Sequence, residues 1–386
     1  MNNICSISFP KRIFAGPGVI DSIAEKAAYL GAKRIGIVSD RGMDALGIPA
    51  KIEKLLCGAG FACLLCCEIS GEPTTDECEK IYSALSSFGA DTLIGIGGGS
   101  AIDVAKACGA MMTNGGDIFP LFGINNIKNQ SIPTILIPTT SGTGTESTNA
   151  GVFINSKTGE KATMFSPCIM ASVVLLDPCL TVSLPAKFTA YTGMDAFAHA
   201  IECFVGKKAN ELSDFYALKS ADLIFNNIRR AYNTPKDIDA RFNMQLGAMY
   251  AGMAISASGT TAVHALAYPL GARFHVAHGL SNAVLLPYVF DFGRDQMIER
   301  LCILGENMKI ARGDLQDGEY SKLIISEFYS LNRDLDIPDD LSVFGVKADD
   351  LSAMADEATS IKRLIENNPK PVTKDDALAI YRRLMK

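Results

Sequence analysis

The sequence predicts an α/β N-terminal domain over residues 1–183, followed by an all-helical C-terminal domain over residues 184–386. Three observations predict it. At 386 residues the chain exceeds what one ordinary hydrophobic core organises, so two domains are expected. In the first half, short apolar runs alternate with amphipathic stretches of helical period. Beyond LDPCLTVSLP these give way to long periodic stretches such as ELSDFYALKSADLIFNNIRRAY and RFNMQLGAMYAGMAISASG.

In chain order, GVIDSIAEKAAYLG reads as an amphipathic helix, RIGIVSD as a buried strand ending at Asp40, and PAKIEKLLCGAG as a second helix closed by glycine. FACLLCCEI is the next strand. TTDECEKIYSALSSFGA has a threonine cap at its start and a glycine near its end, the marks of a helix, and the apolar run DTLIGI follows. IPTILIP (132–138) and VVLLD (173–177) are further buried strands, and 151–163 between them reads as a hairpin turning at SKTGEK. Strands separated by helices imply a mostly parallel sheet with helices on its faces. A hydrophobic fraction of 48% with 34 glycines fits such a sheet, whose strands are buried on both sides.

Several function classes are excluded. A net charge of −6 offers nothing to a phosphate backbone, so nucleic acid is not a partner. No segment approaches the length of a membrane span, and MNNICSISFPKRIF lacks the basic start and apolar core of a secretory signal, so cytoplasmic residence is expected. The eleven cysteines, an odd number, read as reduced thiols. Cys63 and Cys66 form a C-x-x-C, but in a strand-like setting, whereas a redox motif opens a helix.

Chemistry concentrates in two segments. Of only four histidines, His264, His275 and His278 fall within 261–279, and His199 lies in GMDAFAHAIE four residues after Asp195. A helix puts Asp195 and His199 on one face. Imidazole and carboxylate suit iron(II), zinc and similar ions, so a single divalent metal site built from both segments is expected. The alternative is that each histidine is a separately satisfied core or surface residue.

GIGGGSAIDVAKA (95–107) follows a strand and opens a helix, where glycines let backbone N–H groups approach a pyrophosphate and the helix start favours its charge. Its match to G-x-G-x-x-G fails at the last place, where Ser100 stands. Asp40 ends a strand at the edge where ligands of open α/β sheets bind. There it can bond ribose hydroxyls and repel a 2′-phosphate, favouring NAD over NADP; the alternative role is a helix cap. The hydroxyl-rich PTTSGTGTEST (138–148) supplies donors for phosphate, ribose or carboxamide groups.

Together GGGSAIDVAK, PTTSGTGTEST, TGMDAFAHAIE and the segment from H-A-L-A-Y-P-L-G to A-H-G-L-S-N-A resemble the iron-containing, or group III, alcohol dehydrogenases, which include lactaldehyde reductase and 1,3-propanediol dehydrogenase-like enzymes. The likeness runs over essentially the whole chain, in order. It implies a dehydroquinate synthase-like architecture, with a dinucleotide-binding α/β domain, an all-helical metal- and substrate-binding domain, and the active site in the cleft between them. It implies NAD(H) and a divalent metal, Fe2+ with Zn2+ as the alternative, and a homo-oligomer, dimer or larger. The metal ligands carry over to Asp195, His199, His264 and His278. Cofactor contacts carry over to Asp40, Gly97, Gly98, Gly99, Ser100, Thr139, Thr140 and Lys161.

Two places depart from the family pattern. Tyr268 stands where many members have a second histidine, so Tyr268 and His275 become the candidate proton relay. GEPT (71–74) departs from a common asparagine-bearing form. The substrate pocket is expected at Asn149, Ala150, Gly151 and Ile255, with Arg273 either neutralising an anionic tail or serving as an ordinary surface arginine. Glu202 continues the helical face of Asp195 and His199, as a support for a ligand or as a structural glutamate. The expected reaction is hydride transfer between NAD(H) and a small alcohol or aldehyde, substituted or anionic ones included. A dehydroquinate synthase-like lyase and a catalytically silent NAD-binding protein are the alternatives. A zinc peptidase is disfavoured, since D-x-x-x-H lacks the glutamate of H-E-x-x-H.

Overall fold

The computed structural model describes residues 5–386 and divides into two compact units. One comprises Ser8–Thr140 and Gly144–Val182; the other comprises Ser183–Lys386 together with residues 5–7 and Ser141–Thr143.

The first unit contains nine strands: β1 (Ile13–Ala15), β2 (Arg34–Asp40), β3 (Ala62–Ile69), β4 (Thr92–Gly97), β5 (Gly123–Ile124), β6 (Thr134–Pro138), β7 (Ala150–Ile154), β8 (Lys161–Phe165) and β9 (Val173–Leu176). Six form one sheet in the order β1-β9-β6-β4-β2-β3, parallel at every pairing. A smaller sheet runs β5-β8-β7, in which β7 and β8 make the expected antiparallel hairpin. Two strands had no local signal. β1 has three residues and pairs only with β9, some 160 positions away, and β5 has two.

Five helices connect these strands: α1 (Ile23–Tyr29), α2 (Arg41–Ala45), α3 (Ile48–Gly58), α4 (Thr75–Phe88) and α5 (Gly99–Met111). The cap read at α4 is a full capping box, in which Thr74 and Glu77 satisfy each other's backbone N–H groups. Helix α5 lies hard against β4. A Cβ at Gly95 would stand 2.8 Å from that of Ala105, so only glycine allows this approach, which fixes where the start of α5 points. The strand interiors Ile35, Ile37, Ile94, Ile96, Ile135 and Ile137 are fully buried, as continuous apolar runs in a parallel sheet require.

Cys63 and Cys66 sit on β3, and none of the eleven cysteines is in a disulfide. Burial pushes the Cys63 thiol up to about 12, the opposite of an activated redox thiol.

The second unit is helical: α6 (Ala186–Val205), α7 (Glu211–Asn233), α8 (Ile238–Ser258), α9 (Ala262–Phe274) and α10 (His278–Gly293), followed by helices including Ile298–Asn307, Asp317–Asp334, Leu351–Ser360 and Lys374–Arg382. α6 is its axis. From Gly193 to Val205 every residue of α6 is buried, because α7, α8 and α10 surround it. A helix enclosed on all sides needs an apolar circumference, so the polar Asp195, His199 and Glu202 it carries must find partners inside the bundle. Among the described residues, no helix is long and apolar enough to cross a membrane.

Candidate active site

Asp195 and His199 project from one face of α6, as their i, i+4 spacing requires, while His264 lies in the first turn of α9 and His278 opens α10. The start of α10 is drawn close to α6 because residue 279 is glycine; a Cβ there would collide with the backbone of Tyr191. The ligand atoms of Asp195, His199, His264 and His278 lie within 4.8 Å of one another. Asp195 Oδ1 is 3.8 Å from Nε2 of His199, 3.8 Å from Nε2 of His264 and 3.7 Å from Nε2 of His278. Donors bound at about 2.0–2.2 Å around one four-coordinate ion stand roughly 3.4 Å apart, so the observed set is slightly expanded from that arrangement. Asp195, His199 and His264 are buried, whereas the His278 side chain is 28% exposed and marks the open side.

Electrostatics suits the set to a cation. Burial works against ionisation of Asp195, yet the three imidazoles and the Asn282 amide together hold it below the usual carboxylate range. Burial drives His199 down to about 4, against the pull of Asp195, so it is neutral and able to ligate at physiological pH. Asn282 Nδ2 donates to Asp195 Oδ1 at 2.7 Å and lies 3.2 and 3.3 Å from Nε2 of His264 and His278. One amide with two protons therefore faces acceptor atoms of three residues, and a cation supplies what the amide cannot. Sequence reasoning missed Asn282. The available signal was its position four residues after His278 on the same helix face.

Glu202, on the same face of α6, is fully buried. Its Oε1 accepts from Thr261 N–H at 3.1 Å, Thr261 Oγ1 at 2.6 Å and Val263 N–H at 2.8 Å, satisfying the start of α9 where no local side chain caps it. Its Oε2 bonds His264 Nδ1. Although burial opposes it, His264 and these donors hold Glu202 below its ordinary range. A carboxylate at Nδ1 keeps the proton on that nitrogen and leaves the Nε2 lone pair toward the cluster. Glu202→Gln would present an N–H to Nδ1 and shift the proton to Nε2. The expected result is a metal affinity lower by about 10–100-fold with the fold retained, read by competition with a chelating dye.

Around this cluster, the Tyr268 ring stacks on His278 at 5.8 Å and 29°. His275 is not brought to the four ligands. It is exposed, and its left-handed backbone (φ 54°) closes the end of α9. The Arg273 guanidinium is engaged by Glu357, with Nε 2.9 and 3.0 Å from its two oxygens.

In the α/β unit, β4 ends at Gly97 and α5 opens at Gly99, with Gly98 as an N-cap that has no side chain to bond the first N–H groups. Those N–H groups and the positive end of α5 are thus available to an anion, with Ser100 in the first turn. Gly97 has φ +148°, and a Cβ there would stand 2.5 Å from Asp40 Oδ2 and 2.9 Å from the Ala101 Cβ. Asp40 Oδ1 caps α2 by accepting from Met43 N–H at 2.9 Å, the cap read as one of its two possible roles, while its Oδ2 lies over the glycine turn. Thr139 N–H donates to Gly97 O at 2.9 Å, and the Thr140 side chain lies beside Gly98. The carboxyl ends of β2, β4 and β6 thus meet at one edge, the position where open α/β sheets bind ligands.

Lys161, on β8, pairs with Glu72 of the GEPT turn at 2.8 Å. Asn149 O accepts from Ser166 N–H at 2.9 Å, Ala150 opens β7, and Gly151 is backed by Met164 and Phe153. Ile255, on α8, is partly buried against the helical core.

Comparison with known proteins gives the site its context. Residues 10–178 match the family described as iron-containing alcohol dehydrogenase, and residues 189–385 match the C-terminal part of the Fe-containing alcohol dehydrogenase family. The chain belongs to the iron-containing alcohol dehydrogenase family. It is 38% identical over 375 residues to a sulfoacetaldehyde reductase from Bilophila wadsworthia, covering 96% of each chain. It is 35% identical over 382 residues to long-chain-alcohol dehydrogenase 1 from Geobacillus thermodenitrificans, covering 98% of this chain and 96% of the relative. A crystal structure of 1,3-propanediol oxidoreductase superposes with a TM-score of 0.96 at 30% identity, covering 99% of this chain and all of the other. Both units of the iron-containing alcohol dehydrogenase fold are therefore present, and the family expected from the four sequence motifs is the family found.

Proposed function

We propose that this protein is a metal-dependent, NAD(H)-linked alcohol dehydrogenase or aldehyde reductase acting on a small alcohol or aldehyde. The convergence of Asp195, His199, His264 and His278 carries the reading. When bound, the metal supplies Lewis acidity toward the substrate oxygen and the nicotinamide supplies or accepts the hydride. The protein's own part is placement. The α/β unit is the dinucleotide-binding domain. Its α5 N-terminus receives the pyrophosphate through Gly97, Gly98, Gly99 and Ser100, Asp40 Oδ2 accepts from ribose hydroxyls, and Thr139, Thr140 and Lys161 complete the cofactor contacts. The helical unit holds the metal.

Of the two relay candidates, the stacking of Tyr268 on His278 favours its hydroxyl over the exposed His275 for carrying the alcohol proton. The likeness to a sulfoacetaldehyde reductase makes an anionic aldehyde one substrate to test, and the pairing of Arg273 with Glu357 supports reading Arg273 as a surface arginine and not as its anchor. A dimer or larger assembly in the cytoplasm belongs to the same reading, and light scattering of the purified protein checks the assembly.

A panel of sulfoacetaldehyde, lactaldehyde, 3-hydroxypropionaldehyde and straight-chain aldehydes, each with NADH, tests the proposal. Oxidation of NADH by at least one supports it, and none by any, with metal bound, favours a silent NAD-binding protein. Asp40 makes the cofactor claim specific. Asp40→Ala is expected to raise the KM for NADH and cut the NADH-over-NADPH preference by about tenfold, since a carboxylate repels the 2′-phosphate by roughly 1–2 kcal/mol in a partly hydrated site.

A further inference from the structure

Lys106, in the middle of α5, is fully buried and takes no part in the chemistry above. Its Nζ donates to Thr145 O at 2.9 Å, Thr148 O at 3.0 Å and Ala150 O, and lies 3.2 Å from the hydroxyls of both Thr145 and Thr148. Five oxygens surround an ammonium with three protons, a shell like the one a small monovalent cation gathers. Asp103, one turn earlier on α5, grips the same segment. Its Oδ1 accepts from Thr145 Oγ1 at 2.5 Å and its Oδ2 from Val152 N–H at 3.0 Å.

Residues 144–149 carry only the short 3-10 turn Thr145–Ser147 before β7 opens at Ala150. The ammonium gathers the inward carbonyls of Thr145, Thr148 and Ala150 onto one donor, although Thr145 O also accepts from Thr148 N–H at 3.2 Å within the turn. Burial pushes Lys106 down to about 8, with Asp103 and Glu146 opposing, which leaves it charged at neutral pH. The same helix that opens at Gly99 for the pyrophosphate thus holds, two turns on, the segment that follows Thr139 and Thr140.

We propose that Lys106 is a positioning residue for the cofactor: its ammonium is the cation around which segment 144–150 folds, and a small free cation can take its place. The effect on the cofactor rests on the NAD reading above, whereas the effect on the segment does not.

The test uses full-length, metal-loaded Lys106→Ala, with NADH binding read by fluorescence and amide exchange of residues 144–150 read by mass spectrometry. NADH affinity is expected to fall at least about tenfold and exchange to quicken at least about tenfold. Both should recover substantially with methylammonium chloride but not with tetramethylammonium chloride, which is too large for the cradle. A structural role confined to general packing would give no such rescue. An affinity within about twofold of wild type, or a loss that neither ammonium nor methylammonium repairs, overturns the proposal.

If Lys106→Ala fails to fold, Thr148→Val, which removes one oxygen and keeps the ammonium, replaces it. Roughly threefold weaker NADH binding with faster exchange supports the assignment, and unchanged values refute it. Should the wild-type protein bind no NADH, the NAD reading falls, and the exchange of 144–150 with and without methylammonium still decides the role of Lys106.

Discussion

His264→Ala is expected to empty the metal site and lower kcat/KM by at least about three orders of magnitude, because Lewis-acid stabilisation is worth several kcal/mol and about 1.4 kcal/mol is a factor of ten. His264 is buried, stacked on His199 with ring centroids 4.6 Å apart and held through Nδ1 by Glu202. Its removal leaves Asp195 with two imidazoles instead of three and leaves one Glu202 oxygen without its partner. Glu202 still caps α9 through Thr261 and Val263, so the fold should persist while the metal is lost. His278→Ala should behave alike in metal content, with a smaller cost in stability, since its side chain is partly exposed. The checks are metal analysis by mass spectrometry, the thermal midpoint and steady-state kinetics on the same preparations. Full metal content with full activity in both variants would remove the assignment.

Gly97→Ala is the second large effect. The backbone at φ +148° is one that side-chain-bearing residues adopt only under strain of about 1–3 kcal/mol. The added methyl would also stand 2.5 Å from Asp40 Oδ2 and 2.9 Å from the Ala101 Cβ. Relief requires Asp40 to swing away, giving up its cap on α2, or the turn between β4 and α5 to open; either displaces groups proposed to hold ribose and pyrophosphate. Losing one or two charge-assisted hydrogen bonds of about 1.5–3 kcal/mol each corresponds to NADH binding weaker by about two orders of magnitude. Metal content should stay at the wild-type level, because all four ligands lie on α6, α9 and α10. Calorimetric titration with NADH gives the answer, and an affinity within about twofold of wild type would show that this turn does not hold the cofactor.

What could be read from the chain followed the range of the forces involved. Buried parallel strands such as Ile94 and Ile96 on β4 announce themselves as apolar runs, and α4 declares its ends through Thr74 and Gly89. β1 was invisible because its three residues become a strand only by pairing with β9, far along the chain. Within the site, the rarity of histidine and the Asp195–His199 spacing exposed the metal cluster, since few arrangements bring four such residues together without purpose. Asn282 and Lys106 escaped notice for the opposite reason. Asparagine and lysine are common, and what distinguishes these two is burial among acceptors contributed by distant segments. His275 shows the converse, since belonging to the histidine-rich stretch did not bring it to the cluster. A residue three positions from His278 but beyond the end of α9 follows the chain's turn, not the helix face.

The most direct test of the central claim is NADH-dependent aldehyde reduction measured on one preparation before chelation, after chelation, and after Fe2+ or Zn2+ is restored. The expected result is stoichiometric metal at the outset, loss of turnover in step with loss of metal, NADH binding preserved throughout, and recovery on restoring the ion. Undiminished turnover by protein shown to be free of metal would contradict the account.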